Sequence, residues 1–186
     1  MRIISGKLRG KSISFLKNKI TRPLKDSVKE SVFNILAHSN ILNLNIKNSN
    51  VLDLYSGIGS FGLECVSRGA NKVTFVEKDK NATEILQKNI FSLAIQDKAT
   101  IIKDHIENFL SNDSNQIFDI IFFDPPFLDK DYIENLKILK KTKLYKKKHL
   151  IIIHREKNSS ENLNGVLEIL ILKQYGRSKI IFGRLR

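Results

Sequence analysis

Asp124-Pro125-Pro126-Phe127 closes the apolar run Phe118-Asp119-Ile120-Ile121-Phe122-Phe123. A proline pushes the residue before it out of the helical region, so Asp124 and Pro125 are both held extended. Each proline also fixes its own φ and carries no N–H. The stretch therefore offers a carboxylate, one or two backbone carbonyls without a neighbouring amide to satisfy them, and an aromatic ring. Acceptors beside a stacking surface suit an exocyclic amino group on a flat base. A second stretch, Asp53-Leu-Tyr-Ser-Gly57-Ile-Gly59-Ser-Phe-Gly62, matches the dinucleotide fingerprint Gly-x-Gly-x-x-Gly. Its glycines let backbone approach a ligand without interference from Cβ. Asp53 is unusual at a buried strand end, and its carboxylate could face a cationic group such as the amine of an amino acid moiety. Glu77, 20 residues after Gly57, stands where an acid accepts from both hydroxyls of a ribose. Asp104 could accept from an adenine amino group, with capping of the following helix as the rival use.

The elements that must hold these residues alternate. Strands are expected over 50–55, 72–77, 100–103, 118–123 and 149–154, with helices over about 60–68, 80–93, 105–110 and 130–139 between them. Such alternation predicts a Rossmann-like, doubly wound, mostly parallel sheet, in which ligands sit at the carboxyl ends of the strands. Two closing strands, 166–173 and 179–184, are joined through Tyr175-Gly176-Arg177, which predicts that the last runs antiparallel. Before the sheet, residues 24–38 place Val28, Val32, Ile35 and Leu36 at helical spacing. Residues 2–20 suggest a small hairpin-like arm, so the chain divides into a basic arm (1–22) and a single α/β domain (23–186).

The net charge of +13 is unevenly spread. Residues 1–25 hold eight Lys or Arg, residues 137–148 seven and residues 171–186 five, all without an acid, whereas the rest holds 12 basic against 19 acidic residues. Acid-free basic segments of this kind favour a polyanion partner, since phosphate contacts are what they supply. The single cysteine, Cys65, excludes an internal disulfide framework and a multi-cysteine metal site and reads as a packing residue. The four histidines (His38, His105, His149, His154) share no metal-ligand spacing and are assigned no chemistry. No apolar run approaches the roughly 20 residues of a membrane span, and the start lacks the apolar core of a signal peptide. A cytoplasmic location without membrane or metal is expected.

With both motifs placed, the chain resembles the class I S-adenosylmethionine-dependent methyltransferases. More narrowly it resembles the bacterial family that methylates the N2 amine of one guanine, position 966, in 16S rRNA. The resemblance rests on Met1-Arg-Ile-Ile-Ser-Gly-Lys7-Leu-Arg-Gly10, Thr21-Arg-Pro23, Val28–Leu36, Val51–Gly62, Ser67-Arg-Gly-Ala70, Phe75-Val-Glu-Lys-Asp79 and Asp124–Phe127. Tyr55-Ser56 and Ile58 depart from an expected Phe-Ala and Ser, and Tyr175-Gly-Arg-Ser178 is a looser match. The resemblance implies S-adenosylmethionine held by Asp53, Gly57, Gly59, Glu77 and Asp104. Asp124, Pro125, Pro126 and Phe127 would receive the base, and Arg2, Lys7, Arg9, Lys11 and Arg22 would grip phosphates. The implied partner is 16S rRNA within an assembled or assembling small subunit, and a monomer is the default expectation. Rival readings are an adenine-N6 methyltransferase on DNA or other RNA, a nicotinamide dehydrogenase, and a catalytically silent RNA-binding protein.

Overall fold

The computed structural model describes residues 1–15, 26–112 and 116–186. Arg22 and Thr21-Arg-Pro23 lie outside the described residues. Seven strands form one sheet in the order β3-β2-β1-β4-β5-β7-β6. They are β1 (Asn50–Leu54), β2 (Lys72–Val76), β3 (Ala99–Ile102), β4 (Phe118–Phe123), β5 (Tyr145–Glu156), β6 (Leu167–Tyr175) and β7 (Ser178–Leu185). The first five pair in parallel, and β7 lies antiparallel between β5 and β6.

Side chains alternate across a strand, and here both faces are apolar. Val51, Val73, Phe75, Ile120, Phe122 and Ile152 pack beneath helices α1 (Asp26–His38), α2 (Ser60–Ser67) and α3 (Lys80–Ser92). Leu52, Leu54, Val76, Ile121, Phe123 and Ile153 pack beneath α4 (Ile106–Ser111) and α5 (Tyr132–Thr142). Phe61 of α2 is stacked between Phe33 of α1 and Phe122 of β4, with ring centroids 5.1 and 4.0 Å away, which joins three elements around the start of α2.

Strand order reverses between β1 and β4, and an open α/β sheet has its crevice at such a switch point. Register places Leu54 beside both Phe123 and Val76. The turns after β1, β2 and β4 therefore leave the sheet at one level, which brings the glycine loop, Glu77 and Asp124 to one edge.

Residues 1–13 fold back on themselves. Arg2 bridges Ser12 antiparallel, the Ile3 amide donates to the Lys11 carbonyl (2.9 Å), and Ile3 and Ile13 are buried. This hairpin is clamped to α2. Glu64 of α2 accepts from the amides of Ile4 (2.8 Å) and Ser5 (2.9 Å), and the Ser67 carbonyl accepts from the Lys7 amide (2.8 Å). β5 begins four residues before its expected start, at Tyr145 rather than His149. A register shift after Phe118 admits the extra residues of β5, and Lys146 pairs with Asp119 at 2.9 Å. Lys146, Lys147 and Lys148 are consequently exposed at the amino end of β5, opposite the crevice.

Candidate active site

The loop after β1 is shaped by left-handed backbone. Tyr55 (φ 57°), Gly57 (φ 53°) and Gly59 (φ 83°) all lie at positive φ, a region that glycine enters freely and tyrosine does not. Two strand-end acids hold this loop in place. Asp53 Oδ2 accepts from the Gly62 amide (2.9 Å), and Glu77 Oε2 accepts from the Gly57 amide (2.8 Å). The other Glu77 oxygen accepts from the Asp79 amide at 2.8 Å, and Asp79 in turn caps α3 through the Ala82 amide. The tyrosine at position 55 finds its own support, because its hydroxyl accepts from Asn135 Nδ2 of α5 at 3.0 Å.

These groups line a cavity of about 1050 Å³. Asp53, Gly57, Glu77 and Asp104 are on its wall, and so are Asp124, Pro125, Pro126 and Phe127. The two stretches singled out in the sequence therefore face one space. Gly59 is not among the lining residues. A Cβ there would come within 2.4 Å of Leu86 Cδ1, so this glycine serves packing behind the loop. Gly57 differs, with nothing within 4 Å of a Cβ, and its backbone is open to a ligand. Asp104 accepts from the His105 amide (2.7 Å) and Asn108 Nδ2 (2.9 Å), which hold its carboxyl below the usual range. It thus braces the start of α4 without capping it, since the N-cap is His105, and it lines the cavity. Arg2, Lys7, Arg9 and Lys11 are exposed and outside the cavity, but their chain leads into it. The Ser14 amide donates to Asn89 Oδ1 (2.7 Å), and Phe15 reaches the wall.

Asp53 is 1% exposed. Burial pushes its carboxyl well above the ordinary range, against the pull of the Gly62 amide, and the nearby carboxylates of Asp124 and Glu77 add to the rise. A buried acid of this kind ionises readily only when a positive charge arrives. Beside it, Ser56 Oγ is buried on the cavity wall without a partner among the described residues. An orphaned hydroxyl next to a backbone free of Cβ and two acids fits a polar, cationic nucleoside ligand such as S-adenosylmethionine.

The Asp124 corner is held from β5. Its amide donates to the Leu54 carbonyl at 3.4 Å. Oδ1 meets His154 Nδ1 at 2.7 Å, and His154 Nε2 meets Ser178 Oγ at 2.9 Å. The His154 ring also lies edge-on to Phe127, with centroids 5.6 Å apart. Arg155, 2% exposed, donates to the carbonyls of Pro126, Phe127 and Asp129, each at 2.9 Å, while its guanidinium lies 4.6 Å from the centre of the Tyr132 ring. Glu161 completes this support by accepting from Arg155 Nε and Lys179 Nζ, both at 2.9 Å.

The Pro126 and Phe127 carbonyls are satisfied by Arg155, whereas the Pro125 carbonyl, the acceptor put forward from the sequence, takes no hydrogen bond among the described residues. One sequence expectation changes here. His154, assigned no chemistry from spacing, touches the key carboxylate. The sequence does carry one signal for it, since an apolar strand running directly into His154-Arg155-Glu156 places three ionisable groups at a strand end. Tyr175, Arg177 and Ser178, from the turn between β6 and β7, complete the wall. No group of His, Cys, Asp or Glu able to hold a metal occurs among the described residues, nor is any helix there long and apolar enough to cross a membrane.

A family model described as conserved hypothetical protein 95 matches residues 1–184. A Haemophilus influenzae protein named ribosomal RNA small subunit methyltransferase D is 36% identical over 160 residues, which cover 85% of this chain and 80% of that protein. A solved structure from the same organism, described as a candidate methylase, is 31% identical with TM-score 0.78, covering 100% of this chain and 98% of that one. An Escherichia coli structure, described as a candidate methyltransferase, has TM-score 0.84 at 27% identity, covering 100% and 97%.

Proposed function

The chain belongs to the conserved hypothetical protein 95 family, that of the small-subunit rRNA methyltransferases, and from that premise we propose that it methylates N2 of guanine 966 in 16S rRNA. It is an S-adenosylmethionine-dependent rRNA methyltransferase. The observation that most supports an exocyclic amine as target is the Asp124-Pro-Pro-Phe127 corner on the same cavity wall as Gly57 and Glu77.

When bound, S-adenosylmethionine supplies an electrophilic methyl group on a sulfonium. Asp53 would face its amino group, Glu77 its ribose, Ser56 and the Gly57 backbone its polar edge, and Asp104 its base. The chain's part in the reaction is to orient the acceptor. A guanine amine is a poor nucleophile because its lone pair is delocalised into the ring. The Asp124 carboxylate and the Pro125 carbonyl accept its two hydrogens and turn the lone pair out of the ring plane, while Phe127 stacks on the base. Positioning of this kind supplies several kcal/mol without a strong base. The target leaves its stack to enter, as methyltransferases require. Arg2, Lys7, Arg9, Lys11 and Arg22 contact phosphates around it. The substrate is the assembled or assembling small subunit, the enzyme acts as a monomer, and its location is the cytoplasm.

The test is incubation with labelled S-adenosylmethionine and small-subunit particles from cells lacking the enzyme. Label at N2 of one guanine in 16S rRNA is expected. Label at an adenine N6, or none in rRNA, overturns the assignment.

A further inference from the structure

The carboxylate at the centre of the site has a partner of its own. His154, at the end of β5, is 6% exposed and bridges Asp124 Oδ1 (2.7 Å) and Ser178 Oγ (2.9 Å). Its tautomer follows from elementary electrostatics. An unprotonated Nδ1 would set its lone pair against a carboxylate oxygen at 2.7 Å, so Nδ1 carries a proton and donates to Asp124. In the neutral ring, Nε2 then accepts from the Ser178 hydroxyl. Oδ2 of Asp124 takes no hydrogen bond among the described residues, and the Asp124 side chain is 26% exposed. One carboxylate oxygen is therefore fixed and the other is open to the cavity.

The imidazole itself is held in place on each side. β5 and β7 pair antiparallel, with His154 opposite Ile180 and Glu156 opposite Ser178. The Phe127 ring lies against one edge of the imidazole. Ser178 begins β7, directly after the turn through Gly176, and Tyr175, Arg177 and Ser178 line the cavity.

We propose that His154 is a positioning residue: a relay from Ser178 through His154 fixes the rotamer of Asp124, so that Oδ2 meets the substrate amine, and ties that geometry to the β6–β7 turn. The inference rests on the methyl-transfer reading given above and deepens it. Hydrogen-bonded supports of this kind act through orientation, where a misplacement of about 1 Å can lower a rate about 100-fold. The relay also gives the carboxyl-terminal hairpin a role, because Arg177 directly precedes the serine whose hydroxyl orients the histidine and Tyr175 lies three residues before it.

The experiment compares His154→Leu and His154→Asn with the unaltered chain. It measures single-turnover methyl transfer to small-subunit particles and, separately, calorimetric binding of S-adenosylhomocysteine. Asparagine presents an N–H near the position of Nδ1 and leucine presents none. The Leu variant should lose about 100-fold in rate, with cofactor affinity changed less than about threefold, and the Asn variant should recover at least about tenfold of that loss. A Leu variant that transfers at the unaltered rate overturns the relay. So does a folded Asn variant as impaired as Leu. A second readout is independent of catalysis: ¹⁵N spectra of the histidine-labelled protein, with His154 assigned through its loss in the Asn variant. A proton on Nδ1 is expected, and a ring protonated on Nε2 alone overturns the relay whatever the activity. If the unaltered chain transfers no methyl group to rRNA, the functional reading fails, while the spectra still decide the relay.

Discussion

The two halves of the cavity are built on opposite plans. On the glycine-loop side, the acids at the ends of β1 and β2 hold backbone amides 9 and 20 residues away, and the scaffold is the main chain of one β-α-β unit. On the acceptor side, side chains of β5 hold a loop 26 to 30 residues distant, and Ser178 of β7 backs one of them. The first plan yields a ligand cradle made of backbone, tolerant of changes in side chain except where space is lacking. The second yields a corner whose geometry depends on a few buried polar contacts, where a single replacement leaves several groups without partners.

Replacements can sharpen this contrast, and the largest effect belongs to the acceptor side. Asp124→Ala should lower single-turnover transfer by about 1000-fold or more, while calorimetry records S-adenosylhomocysteine affinity within about threefold. Parallel loss of cofactor binding would mean that the two halves are not separable. Arg155→Ala comes next, since it strips three carbonyls and leaves Glu161 with one fewer cation. Breaking a buried pair costs about 3 kcal/mol, so thermal denaturation should show a fall of roughly 6–12 °C for a domain of this size. Gly62→Ala should also destabilise, because its Cβ would come within 2.3 Å of the Phe75 ring. Gly57→Ala meets no atom and should cost only about 1 kcal/mol of backbone strain. A denaturant titration of the pair separates packing from conformation.

The glycine-loop side carries the pH dependence. Burial holds Asp53 protonated to a higher pH than an ordinary carboxyl. A cationic amine binding beside it favours the ionised form, so binding releases a proton and affinity rises with pH until the raised titration is complete. Calorimetry in buffers of different ionisation enthalpy should detect that proton, and Asp53→Asn should abolish it. The smallest effect lies furthest from both halves. Replacing Lys7, Arg9 or Lys11 singly by Ala should lower the slope of log affinity for RNA against log salt by about one unit each. Lys147→Ala, at the amino end of β5, should leave that slope unchanged.

Local signals made much of the molecule legible. The alternation of strands and helices, the glycine loop, Glu77 after β2 and the stiffness of Asp124-Pro-Pro-Phe127 are all read over windows shorter than about 30 residues, and backbone propensity and spacing decide them there. The element bounds fell within a few residues of expectation for the same reason. What a linear reading passed over shares one cause. Arg155 appears in the sequence as one more basic residue, and only its burial against three carbonyls shows that it braces the corner. Gly59 fits the ligand-binding spacing, yet Leu86 occupies the space beside it. The lysines of 143–148 sit in a basic run, and the strand direction carries them to the edge away from the cavity.

Residue types and spacing by themselves determined the doubly wound sheet, the cavity's two motifs and the class of ligand they suit, because those follow from φ preference, periodicity and the chemistry of exposed strand ends. The tertiary structure alone decided which oxygen of Asp124 is committed, which histidine commits it and where the basic segments point. Those facts depend on strands distant in sequence meeting in register, and a side chain's partner is fixed by that meeting rather than by its neighbours along the chain.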